Sequence, residues 1–445
     1  MFSKDFIWGA ASASYQIEGG WNEDGKGLSI WDVFAHKNGN IQNNENGDTA
    51  CDSYHRYQED ADLLKKLGVD AYRFSISWPR IFPNGDGRLN KKGLAYYDRL
   101  VDALLERGIT PYATLFHWDL PYALQVRGGW MNPETADAFS KYAAAVCKHF
   151  KGRIHNYFTL NEPQCVIRLG HCMGIHAPGK KYDTQDALLC MHQLLLAHGK
   201  AVRAMRETDA DAEIGIASTG MLAYPEKDTE ENIKSAEKAC FVINEDTWSF
   251  SHNWVLDPII LGAYPQNCGG EFARFIRRTS KEDLKIIHQK TDMLGVNVYN
   301  GFCVDEKGND AARKVGAAKT ALKWPFTPEV MHYGITALDH RYQLPIFITE
   351  NGQSCNDRIF LDGAVHDPDR IDFLQRYLSA LEKAVNDGAQ VKGYFHWSLT
   401  DNLEWNSGYS DRFGLVYIDF ESCERIPKDS FVWYRDLIRK GKHGN

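Results

Sequence analysis

The segment Tyr157-Phe158-Thr159-Leu160-Asn161-Glu162-Pro163 reads as a short strand that runs into a carboxylate and is stopped by a proline. Apolar and β-branched residues in succession suit a strand covered on both faces, as in a parallel sheet. Pro163 lacks the N–H that a further ladder bond would need. The same arrangement returns in Ile346-Phe347-Ile348-Thr349-Glu350-Asn351-Gly352.

Working outward, residues 71–75, 111–116, 157–160, 214–218, 294–297, 346–349 and 391–397 have the length and composition of buried strands. Residues 6–9 add an eighth at the start. Helical spacing lies between them. Tyr54, Tyr57, Ala61, Leu64 and Leu67 share one face, as do Tyr97, Leu100, Val101, Leu104 and Leu105. Asp367-Pro368 offers an N-cap and a first-turn proline to the helix carrying Phe373, Leu374, Tyr377, Leu378 and Leu381. No linker, low-complexity tract or charge block divides the chain, so residues 1–445 read as one domain. Eight strands alternating with helices predict an α/β fold, a single (β/α)8 TIM barrel with elaborated βα loops, over a doubly wound sheet.

Composition agrees with a large globular unit. The 445 residues are 43% hydrophobic and 25% charged, and a chain of this length buries about three quarters of its unfolded surface without disulfide or metal staples. Lys plus Arg number 51 against 59 Asp plus Glu, a net charge of −8. That balance argues against a nucleic-acid partner, which would require a basic face. Twelve Trp and 21 Tyr provide many flat faces for a core, an interface or a sugar platform. The start, Met-Phe-Ser-Lys-Asp-Phe, is not a secretory signal, and no apolar run has the roughly 18 residues of a membrane span. Ten cysteines without a CxxC pair read as reduced thiols. The expected location is therefore cytoplasmic, with no membrane partner, and self-association into a homo-oligomer stays open.

A barrel carries its chemistry at the C-terminal ends of its strands. The informative residues are thus the polar ones that end apolar runs: Arg73, His117, Asn161 with Glu162, Asn297 with Tyr299, Glu350 with Asn351, and Trp397 followed by Glu404. A single strand-end carboxylate is ordinarily a cap or an ion-pair partner. Two of them, on strands four and seven, point across one barrel mouth. Glycoside cleavage needs such a pair, one to protonate the leaving oxygen and one to meet the developing oxocarbenium ion.

With these residues in view, Thr159-Leu160-Asn161-Glu162-Pro163 and Ile348-Thr349-Glu350-Asn351-Gly352 resemble the two signature motifs of glycoside hydrolase family 1, the retaining β-glucosidases. The likeness spans the chain. Phe6-Ile7-Trp8-Gly9-Ala10-Ala11 with Gln16-Ile17-Glu18-Gly19, Tyr72 to Trp78, Phe116-His117-Trp118-Asp119, His176-Ala177-Pro178-Gly179 and Trp397 to Asn402 follow in the family's order. The resemblance implies Glu162 as general acid/base and Glu350 as nucleophile, with Arg73 and Tyr299 supporting the nucleophile. It implies Gln16, His117, Asn161 and Glu404 as partners of the glycone hydroxyls, Trp397 as the platform under the ring, Trp405 as a further N–H donor and Trp324 as an aglycone-side wall. Asn297 reads equally as a site residue or a strand-end turn cap. No cofactor is implied. The expected substrates are small β-glucosides or short β-linked oligosaccharides, with galactosyl and fucosyl glycones admitted.

Three features shade that reading. Glu404-Trp405 stands where the phosphosugar branch of the family carries a small residue followed by Ser, Lys and Tyr, so a carboxylate there would repel a 6-phosphate. Gln164 replaces the tryptophan common after Asn-Glu-Pro, followed by Cys165, Arg168 and His171, and this loop is expected to border the leaving-group side. Cys165, His171, Cys172 and His176 are metal-ligand types, but their spacing matches no standard zinc site. A 6-phospho-β-glucosidase, a transglycosylase and an inactive sugar-binding barrel remain the alternatives.

Overall fold

The computed structural model describes residues 2–443. Eight strands, β1 (Ile7–Ala11), β2 (Ala71–Ser75), β3 (Thr110–Phe116), β4 (Asn156–Asn161), β5 (Glu213–Ser218), β6 (Met293–Asn297), β7 (Ile346–Asn351) and β8 (Val391–Trp397), close into a barrel. All neighbours pair in parallel, and β1 completes the circle between β8 and β2. Each strand is followed by at least one outer helix, including Ser53–Leu67, Lys91–Glu106, Pro133–Phe150, Thr184–Thr208, Val330–Tyr342 and Pro368–Asn386. The fold is the expected (β/α)8 barrel.

Two local expectations fail. Phe6 lies outside the first strand: its N–H donates to Ser3 O at 3.1 Å, and β1 starts at Ile7 and runs on to Ala11. Asp367 precedes Pro368 but its side chain does not cap the helix. Its carboxylate is taken instead by Arg370 and by the backbone N–H and hydroxyl of Ser430, at 2.8 and 2.5 Å. A buried cation outcompetes the orphan N–H groups of a helix start.

The barrel interior is filled by large side chains. The Tyr112 ring lies 5.1 Å from Phe395 and 5.8 Å from Phe347, with Phe158 and Met293 in the same cluster. Gly9 makes this filling possible, because a Cβ there would stand 2.3 Å from the Phe395 ring. The Arg73 guanidinium sits 5.5 Å above Phe158 and forms the boundary between this plug and the open end.

The segments after β4, β5, β6 and β8 wall that open end. The one after β8 is fixed from below by buried charges. Lys428 Nζ bonds Asp357 at 2.5 Å and Asp401 at 2.6 Å, while Arg370 reaches Asp357 at 2.7 Å and Arg412 reaches Asp401 at 2.7 Å. On the opposite side, Ala223–Pro225 pairs in parallel with Phe302–Val304 and ties the segments after β5 and β6 together. Among the described residues, no helix is long and apolar enough to cross a membrane.

Candidate active site

The site begins with Arg73, third residue of β2 and almost fully buried. A buried guanidinium must have its donors matched. One arm, Nη1, donates to Glu350 Oε1 at 2.7 Å and to Thr349 O at 3.2 Å. Nη2 donates to Asn161 Oδ1 at 2.7 Å and Nε to Thr114 Oγ1 at 3.1 Å. Four strands are thereby tied by one side chain. The other oxygen of Glu350 accepts from the Tyr299 hydroxyl at 2.7 Å.

Glu162 follows the last residue of β4 and takes a left-handed backbone, φ +47°. Trp118 (φ +79°) and Trp405 (φ +50°) share that unfavourable region and also line the cavity. Such strain gathers where function fixes a side chain's direction. Asn297 Nδ2 donates to Glu162 Oε1 at 2.6 Å and to Asn161 Oδ1 at 3.1 Å, while Thr349 Oγ1 donates to Asn297 Oδ1 at 2.6 Å. Asn297 thus lines the cavity and spends its side chain on Glu162, Asn161 and Thr349.

The two carboxyls have unequal surroundings. Burial, and then the charge of Glu350, push Glu162 up to about 7. Burial also raises Glu350, but Arg73 and Tyr299 oppose it directly. The ionised form is thus better supported at Glu350, and the proton is better kept at Glu162.

A polar half surrounds this pair on one side. Asn161 Oδ1 already accepts from Arg73 and Asn297, so its Nδ2 donates to His117 Nε2, 3.1 Å away. Burial and the Arg73 charge hold His117 well below the usual histidine range, leaving a neutral ring protonated on Nδ1. His117 stacks between Trp397 and Trp405, at 5.6 and 5.9 Å. Gln16 Nε2 is held by Leu403 O at 2.9 Å and Asn402 Oδ1 at 3.1 Å. Gln16 Oε1 and Glu404 Oε2 are buried without a protein partner, two acceptors available to hydroxyls. Burial pushes the Glu404 carboxyl well above its usual range, with Asp411, Glu350 and Glu162 adding to it.

The cavity of about 640 Å³ is lined by His117, Glu162, Asn297, Tyr299, Trp324, Glu350, Trp397, Glu404 and Trp405, among others. That volume suits a small organic ligand. Arg73, Gln16 and Asn161 stand behind its wall. Trp324 packs edge-on against Tyr299 at 5.2 Å. Gln164 itself is fully buried, turned from the cavity, and donates to Ser218 Oγ at 2.7 Å. The loop after Glu162 borders the cavity through Cys165 and Leu169, and Met221 and Phe250 continue that wall. Spacing gave no signal for Met221 and Phe250, which meet the helical stretch after Glu162 only in the folded chain. The residues read as metal-ligand types diverge. His171 Nδ1 bonds Val166 O at 2.8 Å and His176 Nε2 bonds Asn406 Oδ1 at 3.0 Å.

Residues 1–443 match the model of glycosyl hydrolase family 1. The chain is 44% identical to β-glucosidase A of Thermotoga maritima, with 98% of each chain covered. It is 39% identical, again over 98% of each, to a bifunctional β-D-glucosidase/β-D-fucosidase of Bifidobacterium breve. A solved structure of Thermotoga maritima β-glucosidase in complex with glucoimidazole is similar with a TM-score of 0.90 at 43% identity, covering 99% of both chains.

Proposed function

The chain belongs to glycosyl hydrolase family 1, and we propose that it is a retaining β-glucosidase that releases terminal non-reducing β-D-glucosyl residues through a covalent glycosyl-enzyme intermediate. The observation that carries this reading is the inequality of the two buried carboxyls. Glu350 receives a guanidinium and a phenol donor at 2.7 Å each, whereas Glu162 faces an amide and is pushed up to about 7.

In this reading Glu350 attacks the anomeric carbon while the Glu162 proton passes to the glycosidic oxygen. The aglycone leaves as an alcohol, and a neutral glucosyl ester remains on Glu350. Loss of the Glu350 charge removes the repulsion that kept Glu162 protonated, so Glu162 is now a carboxylate able to take a proton from water. The water oxygen displaces Glu350, and two inversions give net retention. His117, Gln16, Asn161, Asn297, Glu404 and Trp405 would hold the glycone over Trp397, with Trp324 beside the aglycone.

The Bifidobacterium relative, named for both activities, supports admitting β-fucosyl groups, and we extend this to β-galactosyl ones. We take residues 1–445 as one catalytic unit, because the strands that close the barrel are drawn from residue 7 through residue 397. The ten free thiols, seven of them buried, suit a reducing compartment and support action in the cytoplasm.

The test is hydrolysis of 4-nitrophenyl β-D-glucoside followed by proton NMR from the first minute. β-Glucose should appear before its α anomer. First release of α-glucose, or no hydrolysis, would overturn the proposal.

A further inference from the structure

Glu162 leaves β4 in a left-handed backbone, φ +47°. A residue with a side chain holds that conformation only where its surroundings over-determine it. Consecutive residues at the end of β5 supply the restraint. Ala217 O accepts the Glu162 N–H at 2.8 Å. Ser218 Oγ accepts from Gln164 Nε2 at 2.7 Å. Thr219 Oγ1 donates to Asn297 O at 3.2 Å, and Asn297 Nδ2 donates to Glu162 Oε1 at 2.6 Å. The backbone at the carboxyl, the side chain just beyond it and the amide that touches it are all tied to one strand end.

Gln164 takes no part in the cavity lining and is fully buried in the short turn that Glu162 opens. Its amide orientation is fixed, because Nε2 also reaches Ser251 O at 3.4 Å and a carbonyl can only accept. The Thr219 N–H approaches Oε1 at 3.5 Å. Ser218, having accepted from Gln164, donates its own proton to His252 Nδ1 at 2.9 Å. Burial lowers His252 to about 3, so its ring is neutral and able to accept. Gln164, Ser218 and His252 are all closed off from water. Removing one member therefore leaves buried polar atoms unpaired, with no solvent to replace it. The nearest relief is a shift of the turn that carries Gln164, and Glu162 is the residue from which that turn starts.

We propose that Gln164 is a positioning residue for Glu162: the buried Gln164–Ser218–His252 chain fixes the turn after β4 and with it the direction in which Glu162 delivers its proton. The inference rests on the β-glucosidase reading of the site. Gln164 acts through the backbone of residues 162–164 and not on the sugar.

Proton delivery is therefore what the experiment reads. It measures kcat/KM for phenyl, 4-nitrophenyl and 2,4-dinitrophenyl β-D-glucosides, whose aglycones share one ring and need a proton progressively less on leaving. Gln164→Leu keeps the bulk and removes the amide. Phenyl glucoside should then fall about 10–100-fold, part of the roughly 10²–10⁴-fold that a general acid supplies, and the dinitrophenyl glucoside less than about threefold. Ser218→Ala removes the centre of the chain without touching the turn, and it should tilt the series in the same sense. Thermal unfolding checks that each variant is folded, and if Gln164→Leu is not, the Ser218→Ala series decides. Parallel losses on all the glucosides, or an unchanged series in a folded variant, would overturn the inference and leave the β-glucosidase reading standing. Failure of the wild type to cleave any of them would remove that reading and the inference with it.

Discussion

Arg73 Nη1 donates to Glu350 Oε1 at 2.7 Å, from a side chain that is itself almost fully buried. This contact divides the labour between the two carboxyls. It supports charge on Glu350, and that charge helps to hold the proton on Glu162.

Arg73→Met should therefore move the acid limb of the pH profile as well as lower activity. Without the guanidinium, burial raises the Glu350 carboxyl unopposed except by Tyr299 and Asn297. Its ionised form then requires a higher pH, and the acid limb of kcat/KM shifts upward. The loss at the optimum should be about 10²–10³-fold, as when a positioned donor is removed from an active site. Initial rates on 4-nitrophenyl β-glucoside between pH 4 and 9 measure both effects, and an unshifted limb would mean that Arg73 only holds strands together.

Glu162 should set the opposite limb. A proton donor pushed up to about 7 is lost as pH rises through that value, so kcat/KM should fall above neutrality. Glu162→Gln should abolish that limb. Glu162→Ala should cleave cellobiose roughly 10²–10⁴-fold more slowly while sparing glycosylation by activated aryl glucosides, whose phenolate leaves unprotonated. Equal losses across leaving groups would assign the proton to another residue.

Phosphorylated substrates should be poor. Were Glu404 ionised, it would repel a 6-phosphate. Burial favours its neutral form, which removes the repulsion but supplies no cation. Among the described residues lining the cavity none is Lys or Arg, so a phosphate would be desolvated without a partner. The 6-phosphate of 4-nitrophenyl β-glucoside should be cleaved at least about a hundredfold more slowly than the glucoside, the scale of several kcal/mol. Preference for the phosphate ester would misplace Glu404.

Lys428→Met should destabilise the fold beneath the Trp397–Glu404 segment. Asp357 and Asp401 would keep their burial and lose a cation at 2.5 and 2.6 Å. Breaking a buried pair from one side costs about 3–5 kcal/mol. Burial raises the Asp357 carboxyl, but Arg370 and Lys428 outweigh it and hold the group below its ordinary value. The stability it contributes is present above its unfolded pKa and is lost as pH falls through the lower folded value. The variant should therefore lose part of its stability near neutrality, and thermal unfolding at pH 7 and at pH 3, below the unfolded aspartate value, should show a larger deficit at pH 7.

The barrel was legible because strands buried on both faces leave continuous apolar runs, and all eight runs became strands. Phe6 misled because its apolar side chain packs against Phe2 and Trp8 without joining the ladder. The two glutamates, Asn297 and Tyr299 stood out because each ends or closely follows a strand, whereas Arg73 lies in the middle of β2 and stood out as a lone cation in an apolar run. Gln164 was not, because its partners, Ser218 and the Ser251 carbonyl, lie more than fifty residues away. Met221 and Phe250 carried no periodic signal and are brought together within the segment after β5, where the Met221 N–H donates to Phe250 O at 3.0 Å.

The central claim is that Glu350 forms the covalent intermediate. A 2-deoxy-2-fluoro-β-glucoside with a dinitrophenolate leaving group slows breakdown of the glycosyl ester more than its formation, so the ester should accumulate. Peptide mass spectrometry of the inactivated enzyme should find one fluoroglucosyl group per chain, on the peptide containing Ile348-Thr349-Glu350-Asn351-Gly352 and attached to Glu350. A label on Glu162 or on any other residue, or turnover with no covalent adduct, would contradict the account.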